Sequence, residues 1–298
     1  MRKLLITMSG ARYDSITEQV VRDAPKLGAD DVLVYDDVWV AAHPFRQVNR
    51  WLWEHPGQRF PNGSYGRRGF GWYAFKPLIV LDALDRCEPG VVVVYLDGDS
   101  RPIADFSCVY DIARRDGAMF FASQGHKQAT WCTSDCHAVM GIHKNSEKAR
   151  AAHRYAGGAG DLVKAYYEAP AGCARFFAIR KGPWRPRQLV MEWLAYAVNP
   201  MATTFDWSEL VLAEDPLKAG TIIPAEHEGM TEHRTEQAIL SNLCHKHGYK
   251  LWREADESGE GWDQDRDVYG QLFQQTRLGD GSAAGGSRFR NVPMPEAW

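Results

Sequence analysis

Asp97-Gly98-Asp99 puts two carboxylates one residue apart, directly after the apolar run Val91-Val92-Val93-Val94-Tyr95-Leu96. Such a run reads as a buried strand, and open α/β sheets collect their ligands at the carboxyl ends of strands. Gly98 lets the backbone turn tightly and lets a ligand approach. Hard divalent cations such as Mg²⁺ and Mn²⁺ prefer oxygen ligands and bridge to phosphates, so a metal–diphosphate site is the simplest chemistry here. The same residue types also cap helices and fill turns. Lys76, in Phe75-Lys76-Pro77, is a point charge suited to a phosphate or a sugar hydroxyl; a solvated lysine at a helix start is its other reading. Glu236-Gln237 begins a helical stretch, where Thr235 would cap and Glu236 would complement the dipole. Thr7 and Met8 end the first strand, another place where a parallel sheet collects ligands. Cys132, Cys136 and His137 suggest zinc, but a second ligand pair at the usual spacing is missing.

The elements that must position these residues follow from periodicity. Lys3 to Thr7 reads as a strand, Tyr13 to Ala24 as a helix stopped by Pro25, and Asp31 to Tyr35 as a second strand. This strand–helix–strand opening predicts a parallel, Rossmann-like sheet. Arg46 to His55 reads as a short helix and Pro56 to Gly71 as an irregular loop. Ala74 to Cys87 reads as a helix with Pro77 tolerated in its first turn. A helix near Asp105 to Arg115, a strand near Met119 to Ala122, a segment Trp131 to Ile142, a strand Arg175 to Ile179 and a helix Arg187 to Val198 follow. Arg234 to His247 reads as an amphipathic helix with Ile239, Leu240 and Leu243 on its apolar side. The Gly- and Ser-rich stretch from Gly279 to Gly286 predicts a flexible C-terminal segment over 279–298, after one domain over 1–278. Ser287-Arg288-Phe289-Arg290-Asn291 could fold over a diphosphate as a lid, with Arg288 on phosphate, or form a disordered tail.

Composition bounds the class. The chain has 298 residues, 45% hydrophobic and 24% charged, with a formal net charge of -3. That suits one large α/β domain of a globular protein and gives no global signal for nucleic acid or an anionic membrane. Arg67-Arg68 and Arg180-Lys181 are local basic patches. The six cysteines show no small-scaffold disulfide pattern, so reduced buried thiols are expected. No signal peptide and no apolar run of about 20 residues is present, so a cytoplasmic location is expected.

Gly69-Phe70-Gly71-Trp72-Tyr73-Ala74-Phe75-Lys76-Pro77, followed by Tyr95-Leu96-Asp97-Gly98-Asp99, resembles a bacterial and viral group of glycosyltransferases with the GT-A fold. His233-Arg234-Thr235-Glu236-Gln237-Ala238-Ile239-Leu240-Ser241 is similar to the His-Arg-x-Asp-Gln-Ser helix start of the same group. The pattern spans most of residues 1–247. The resemblance implies a single-domain, Rossmann-like GT-A fold with a mostly parallel sheet, and a Mn²⁺ or Mg²⁺ ion held by Asp99 and shared by Asp97, which would also reach the ribose. Glu236-Gln237 resembles the acidic–Gln pair of retaining glycogenin-type enzymes, which implies a catalytic pair facing the anomeric carbon, in which the acid engages acceptor hydroxyls and the Gln approaches the donor sugar. Glu stands here where that pattern has Asp. Asp135 falls in a stretch similar to the family's Thr-Lys-x-Asp, with Thr133-Ser134 where the lysine is expected; sugar contact and helix capping are both open. The late His that is a third metal ligand in glycogenin-like enzymes has no counterpart after His247. His233 is carried over as a donor-side residue, and the resemblance places Thr7 and Met8 beside the nucleotide base.

The expected activity is transfer of a sugar from a nucleoside diphosphate to an acceptor hydroxyl, in surface polysaccharide or lipopolysaccharide synthesis. Two rivals stand beside it: a viral transferase acting on hydroxymethylated DNA bases, and a nucleotide-sugar binding protein without turnover.

Overall fold

The structure is a computed structural model that describes residues 2–10, 13–54, 58–59, 65–66, 70–142, 166–204, 230–257 and 268–275. The expected flexible segment over 279–298, with Arg288, lies outside these residues, as do Arg67 and Arg68.

Val, Ile and Leu fill the strand interiors and set the sheet. Strands β1 (Lys3–Ser9), β2 (Asp31–Asp36), β5 (Val92–Leu96), β7 (Ala118–Lys127), β8 (Pro170–Arg180) and β9 (Leu251–Trp252) form a six-stranded sheet in the order β2-β1-β5-β8-β7-β9. Pairings β1·β2, β1·β5 and β7·β9 are parallel, and β5·β8 and β7·β8 are antiparallel. Helix α1 (Asp14–Asp23) makes the crossover from β1 to β2. The fold is the expected Rossmann-like α/β class with a mostly parallel sheet. Two two-residue strands, β3 (Gln58–Arg59) and β4 (Tyr65–Gly66), pair antiparallel within the stretch expected to be loop. A separate pair, β6 (Ser100–Pro102) with β10 (Phe273–Gln275), sits just beyond Asp97-Gly98-Asp99.

Alternation along the strands splits the core into two layers. Leu4, Ile6, Val93 and Tyr95 face one layer, with helices α5 (Phe75–Arg86), α9 (Trp184–Ala197) and α11 (Thr235–Lys246). Leu5, Val92, Val94 and Leu96 face the other, with α1 and α6 (Ser107–Asp116). Three short helices, α2 (Asp37–Ala42), α3 (Pro44–Val48) and α4 (Trp51–Glu54), follow β2, so the single helix expected over Arg46 to His55 is two. The Trp131 to Ile142 segment holds the end of α7 (Gln128–Trp131) and all of α8 (Ser134–Val139), and α10 (Pro200–Thr203) packs on α8.

Two expectations need correction. Helix α11 is not amphipathic: Glu236, Ser241 and Asn242 are buried together with Ile239, Leu240 and Leu243. It lies between β8, α9, α10 and α7, so every side has a neighbour. Strand β8 extends well beyond Arg175–Ile179 and carries a bulge. Its pairing with β7 jumps from Phe120↔Phe177 to Phe121↔Cys173, which puts Ala174-Arg175-Phe176 out of step with β7. Such bulges re-aim side chains beside sites.

Candidate functional site

The Asp97-Gly98-Asp99 turn leaves β5 at the carboxyl end of the parallel strands. The Asp97 amide still pairs with the Arg175 carbonyl at 2.8 Å, and the Ser100 amide closes the turn on the Asp97 carbonyl at 3.0 Å. A Cβ at Gly98 would overlap the Met8 carbonyl oxygen, so the ends of β1 and β5 touch through a residue that must be glycine. The Tyr95 hydroxyl donates to Asp97 Oδ1, and Lys76 Nζ donates to Asp97 Oδ2 at 3.0 Å. Asp99 accepts from the Ser100 hydroxyl at 3.4 Å. Burial and the neighbouring Asp97 charge push the Asp99 carboxyl above its ordinary range, against the pull of Lys76 and Arg175.

Lys76 reaches Asp97 from the first turn of α5. Gly71, Trp72 and Tyr73, just before it, are all left-handed, with φ of 53°, 53° and 62°. Two aromatic residues in that region are strained, and a Cβ at Gly71 would sit 2.6 Å from the Trp53 ring. The turn delivers Lys76 into the interior, where it is 4% exposed. Its ammonium lies 3.2 Å from Glu236 Oε1 as well as 3.0 Å from Asp97, and it also meets the Ala174 carbonyl at 3.4 Å, which the β8 bulge presents. Burial alone would depress the Lys76 pKa, but Asp97 and Glu236 outweigh it and hold the value above that of an ordinary lysine. The solvated-lysine reading is thereby overturned, because a buried ammonium needs partners and this one has them.

Glu236 comes from α11, whose first residue, Thr235, is left-handed with φ 45°. The Thr235 hydroxyl donates to Glu236 Oε2 at 2.6 Å, so it secures the carboxylate and does not cap the helix, which has no side-chain cap. Trp193 Nε1 donates to the Glu236 carbonyl at 2.8 Å. Gln237 is half-buried, and its Nε2 donates to the Gly172 carbonyl at 2.8 Å and to the Ser123 hydroxyl at 3.3 Å. With the amide nitrogen so committed, Oε1 is the group left to accept from a ligand.

The β8 bulge adds residues that the strand pattern did not single out. Arg175 Nη1 lies 3.4 Å from Asp256 and Nη2 3.8 Å from Glu254, while Ser123 donates to Glu254 at 3.4 Å and Gln275 to Asp256. An arginine in the middle of a strand that is apolar up to Arg180 is the available sequence signal. Glu254 and Asp256 had none, because they follow a two-residue strand too short to read.

The remaining candidates are dispersed. Thr7 is buried in register with Leu96, and Met8 is half-buried against Gly98. His233 is buried, with Nδ1 accepting from the Thr133 amide at 3.4 Å and Nε2 meeting the Ala202 carbonyl at 2.9 Å. Asp135 is buried in the first turn of α8. Beside it, Asn242 Nδ2 lies 3.3 Å from Cys132 Sγ and 3.5 Å from Met140 Sδ. All six cysteines are free thiols, and burial pushes Cys87 up to about 11 and Cys173 up to about 12. Among the described residues, no group of three or more His, Cys, Asp or Glu side chains is arranged to hold a metal ion, so the zinc suggestion at Cys132, Cys136 and His137 gains no ligand set. Two carboxylates with substrate phosphates and water are enough for Mg²⁺ or Mn²⁺, and Asp97 and Asp99 fit that mode, since both offer carboxylate oxygen on one turn at the end of β5.

No protein-family profile and no curated protein matches the chain. A solved structure, the crystal structure of mouse xyloside xylosyltransferase 1 in its apo form, is similar over 99% of this chain and 99% of that chain, with 10% sequence identity and a TM-score of 0.41. No described helix is long and apolar enough to cross a membrane.

Proposed function

We propose that the protein is a metal-dependent glycosyltransferase that moves a sugar from a nucleoside diphosphate to an acceptor hydroxyl. One observation carries this reading. Three motifs far apart in sequence, around Lys76, Asp97 and Glu236, converge on one buried ammonium with ion pairs of 3.0 and 3.2 Å. Their site lies where β1 and β5 end side by side, as ligands of open α/β sheets require.

Asp97 and Asp99 would hold Mn²⁺ or Mg²⁺, and the ion when bound would neutralise charge on the departing diphosphate. Lys76 fixes the Asp97 carboxylate and adds positive charge beside it. Glu236, held by Lys76 and Thr235, keeps the start of α11 against the donor side of the site. Gln237 offers Oε1 toward the sugar and its acceptor. Thr7 and Met8 border the nucleoside, and Arg288, His233 and Asp135 remain candidates for donor contact. A polysaccharide or lipopolysaccharide acceptor and retention of the anomeric configuration are the finer parts of the proposal.

The test is a thermal-shift panel of nucleotide sugars with the full chain in Mn²⁺, followed by transfer and donor-hydrolysis assays. A true donor above its dissociation constant raises the midpoint by mass action. Expected are one stabilising donor, turnover lost in excess chelator, and NMR of the product showing retention. Stabilisation by no nucleotide sugar would reject the reading; binding without turnover would mark a binding protein.

A further inference from the structure

We propose that Tyr73 is the aromatic wall on which the pyranose ring of the donor sugar packs. The inference rests on the glycosyltransferase reading and deepens it. From Gly71 to Lys76, every residue is buried except Tyr73, which is half-buried. Its backbone is left-handed at φ 62°, directly after Trp72 at φ 53°. Backbone in this region persists where the surroundings over-determine it, and it clusters at ligand sites. Trp72 is buried in the core; the Tyr73 ring packs on the edge of that core, 6.3 Å from Phe75, and keeps part of its surface open.

Its position supplies the rest. The Tyr73 ring centroid is 5.1 Å from Lys76 Nζ, the same ammonium that lies 3.0 Å from Asp97. Tyr95 is also near Lys76, at 5.8 Å, but it is fully buried and stacked on Phe177. Of these two rings, Tyr73 is the one with surface open to a ligand. A pyranose has an apolar C–H face and an edge of hydroxyls. An aromatic face next to a carboxylate–ammonium pair matches both, as small-ligand sites combine an apolar wall with a few fixed polar groups. A nucleobase would also stack on a ring, and the comparison of sugar nucleotide with free nucleotide separates the two.

The discriminating quantity is the affinity for a sugar nucleotide relative to the free nucleotide. Calorimetry in Mn²⁺ would use UDP, UDP-glucose, UDP-galactose, UDP-xylose, GDP and GDP-mannose with the full chain. Tyr73→Asn deletes the ring and leaves a residue that enters the left-handed region readily; Tyr73→Phe keeps the ring. Expected for Tyr73→Asn is at least a tenfold loss in sugar-nucleotide affinity, with the free diphosphate within twofold; Tyr73→Phe stays within threefold for both. An equal loss for both ligands, or no loss, overturns the proposal. Should Tyr73→Asn not fold, Tyr73→Trp takes its place: a changed order of preference among the sugars, with free-nucleotide affinity unchanged, supports the wall, and an unchanged order overturns it. If the wild-type chain binds none of the sugar nucleotides, the glycosyltransferase reading fails and Tyr73 falls with it. If the wild type binds and the variants discriminate nothing, only Tyr73 fails.

Discussion

Helix α11 serves two buried polar clusters, and they are built differently. At its first turn, Glu236 joins Lys76 and Asp97 in a charged cluster flanked by left-handed backbone at Trp72, Tyr73 and Thr235. Two turns on, Asn242 joins Gln128, Cys132 and Met140 in a cluster of amides and sulfur, where no described residue of α7, α8 or their link has a positive φ outside glycine. The first opens toward half-buried Tyr73 and Gln237; the second is closed on all sides by core. Burial of polar groups alone does not mark a site. Burial combined with unbalanced charge and strained backbone does.

The largest expected effect breaks the charged cluster. Lys76→Met leaves buried Glu236 and half-buried Asp97 without their ammonium, and removing one partner of a buried pair typically costs about 3–5 kcal/mol. Denaturant unfolding should show that loss, and transfer should vanish. Adding Glu236→Gln to Lys76→Met should restore part of the stability and none of the activity. A single variant that unfolds like wild type would show that the ion pairs do not hold the site.

The amide and sulfur cluster should respond in the opposite way. Asn242→Ala strips the Gln128 amide of its acceptor, 2.7 Å away, and a buried donor left unsatisfied costs about 1–3 kcal/mol. Stability should fall by that amount while KM and kcat per folded molecule stay within about twofold. A fall in kcat without a fall in stability would erase the contrast between the clusters.

The parts of the fold legible in sequence were those governed by local pattern. The run Val91–Leu96 and the turn after it gave β5 and the carboxylates, and Lys3–Thr7 with Asp31–Tyr35 gave the parallel opening. Lys76 was legible as a residue type and not as a buried one, because its partners lie 21 and 160 positions away along the chain. Strand β9 escaped because two residues cannot show a period, and with it went Glu254 and Asp256. Arg175 was read as the start of a strand because a bulge leaves no mark in alternation. The burial of most of α11 depends on the elements packed around it, which no periodicity within the helix records.

The smallest expected effect lies outside both clusters. Burial depresses the pKa of His245, and the Pro170 carbonyl, 2.8 Å from its ring, only partly opposes this; burial also depresses His43 and His126. A histidine whose folded pKa is lowered binds protons better when unfolded, so its contribution is complete above about pH 6.5 and is lost as pH falls toward the folded value. Melting temperature should decline below about pH 6.5, and less steeply in His245→Gln. An equal decline would assign the acid sensitivity elsewhere.

The glycine between the two carboxylates carries a consequence for mutational tolerance. Gly98 contributes no charge and no ligand atom, yet any side chain there would run into the Met8 carbonyl oxygen. In a saturation scan for function it should be as intolerant as Asp97 and Asp99, and alanine should fare little better than tryptophan. The motif is thus a three-residue fit: two positions are fixed by what they offer a ligand, and the middle one by the neighbouring strand that it must let pass.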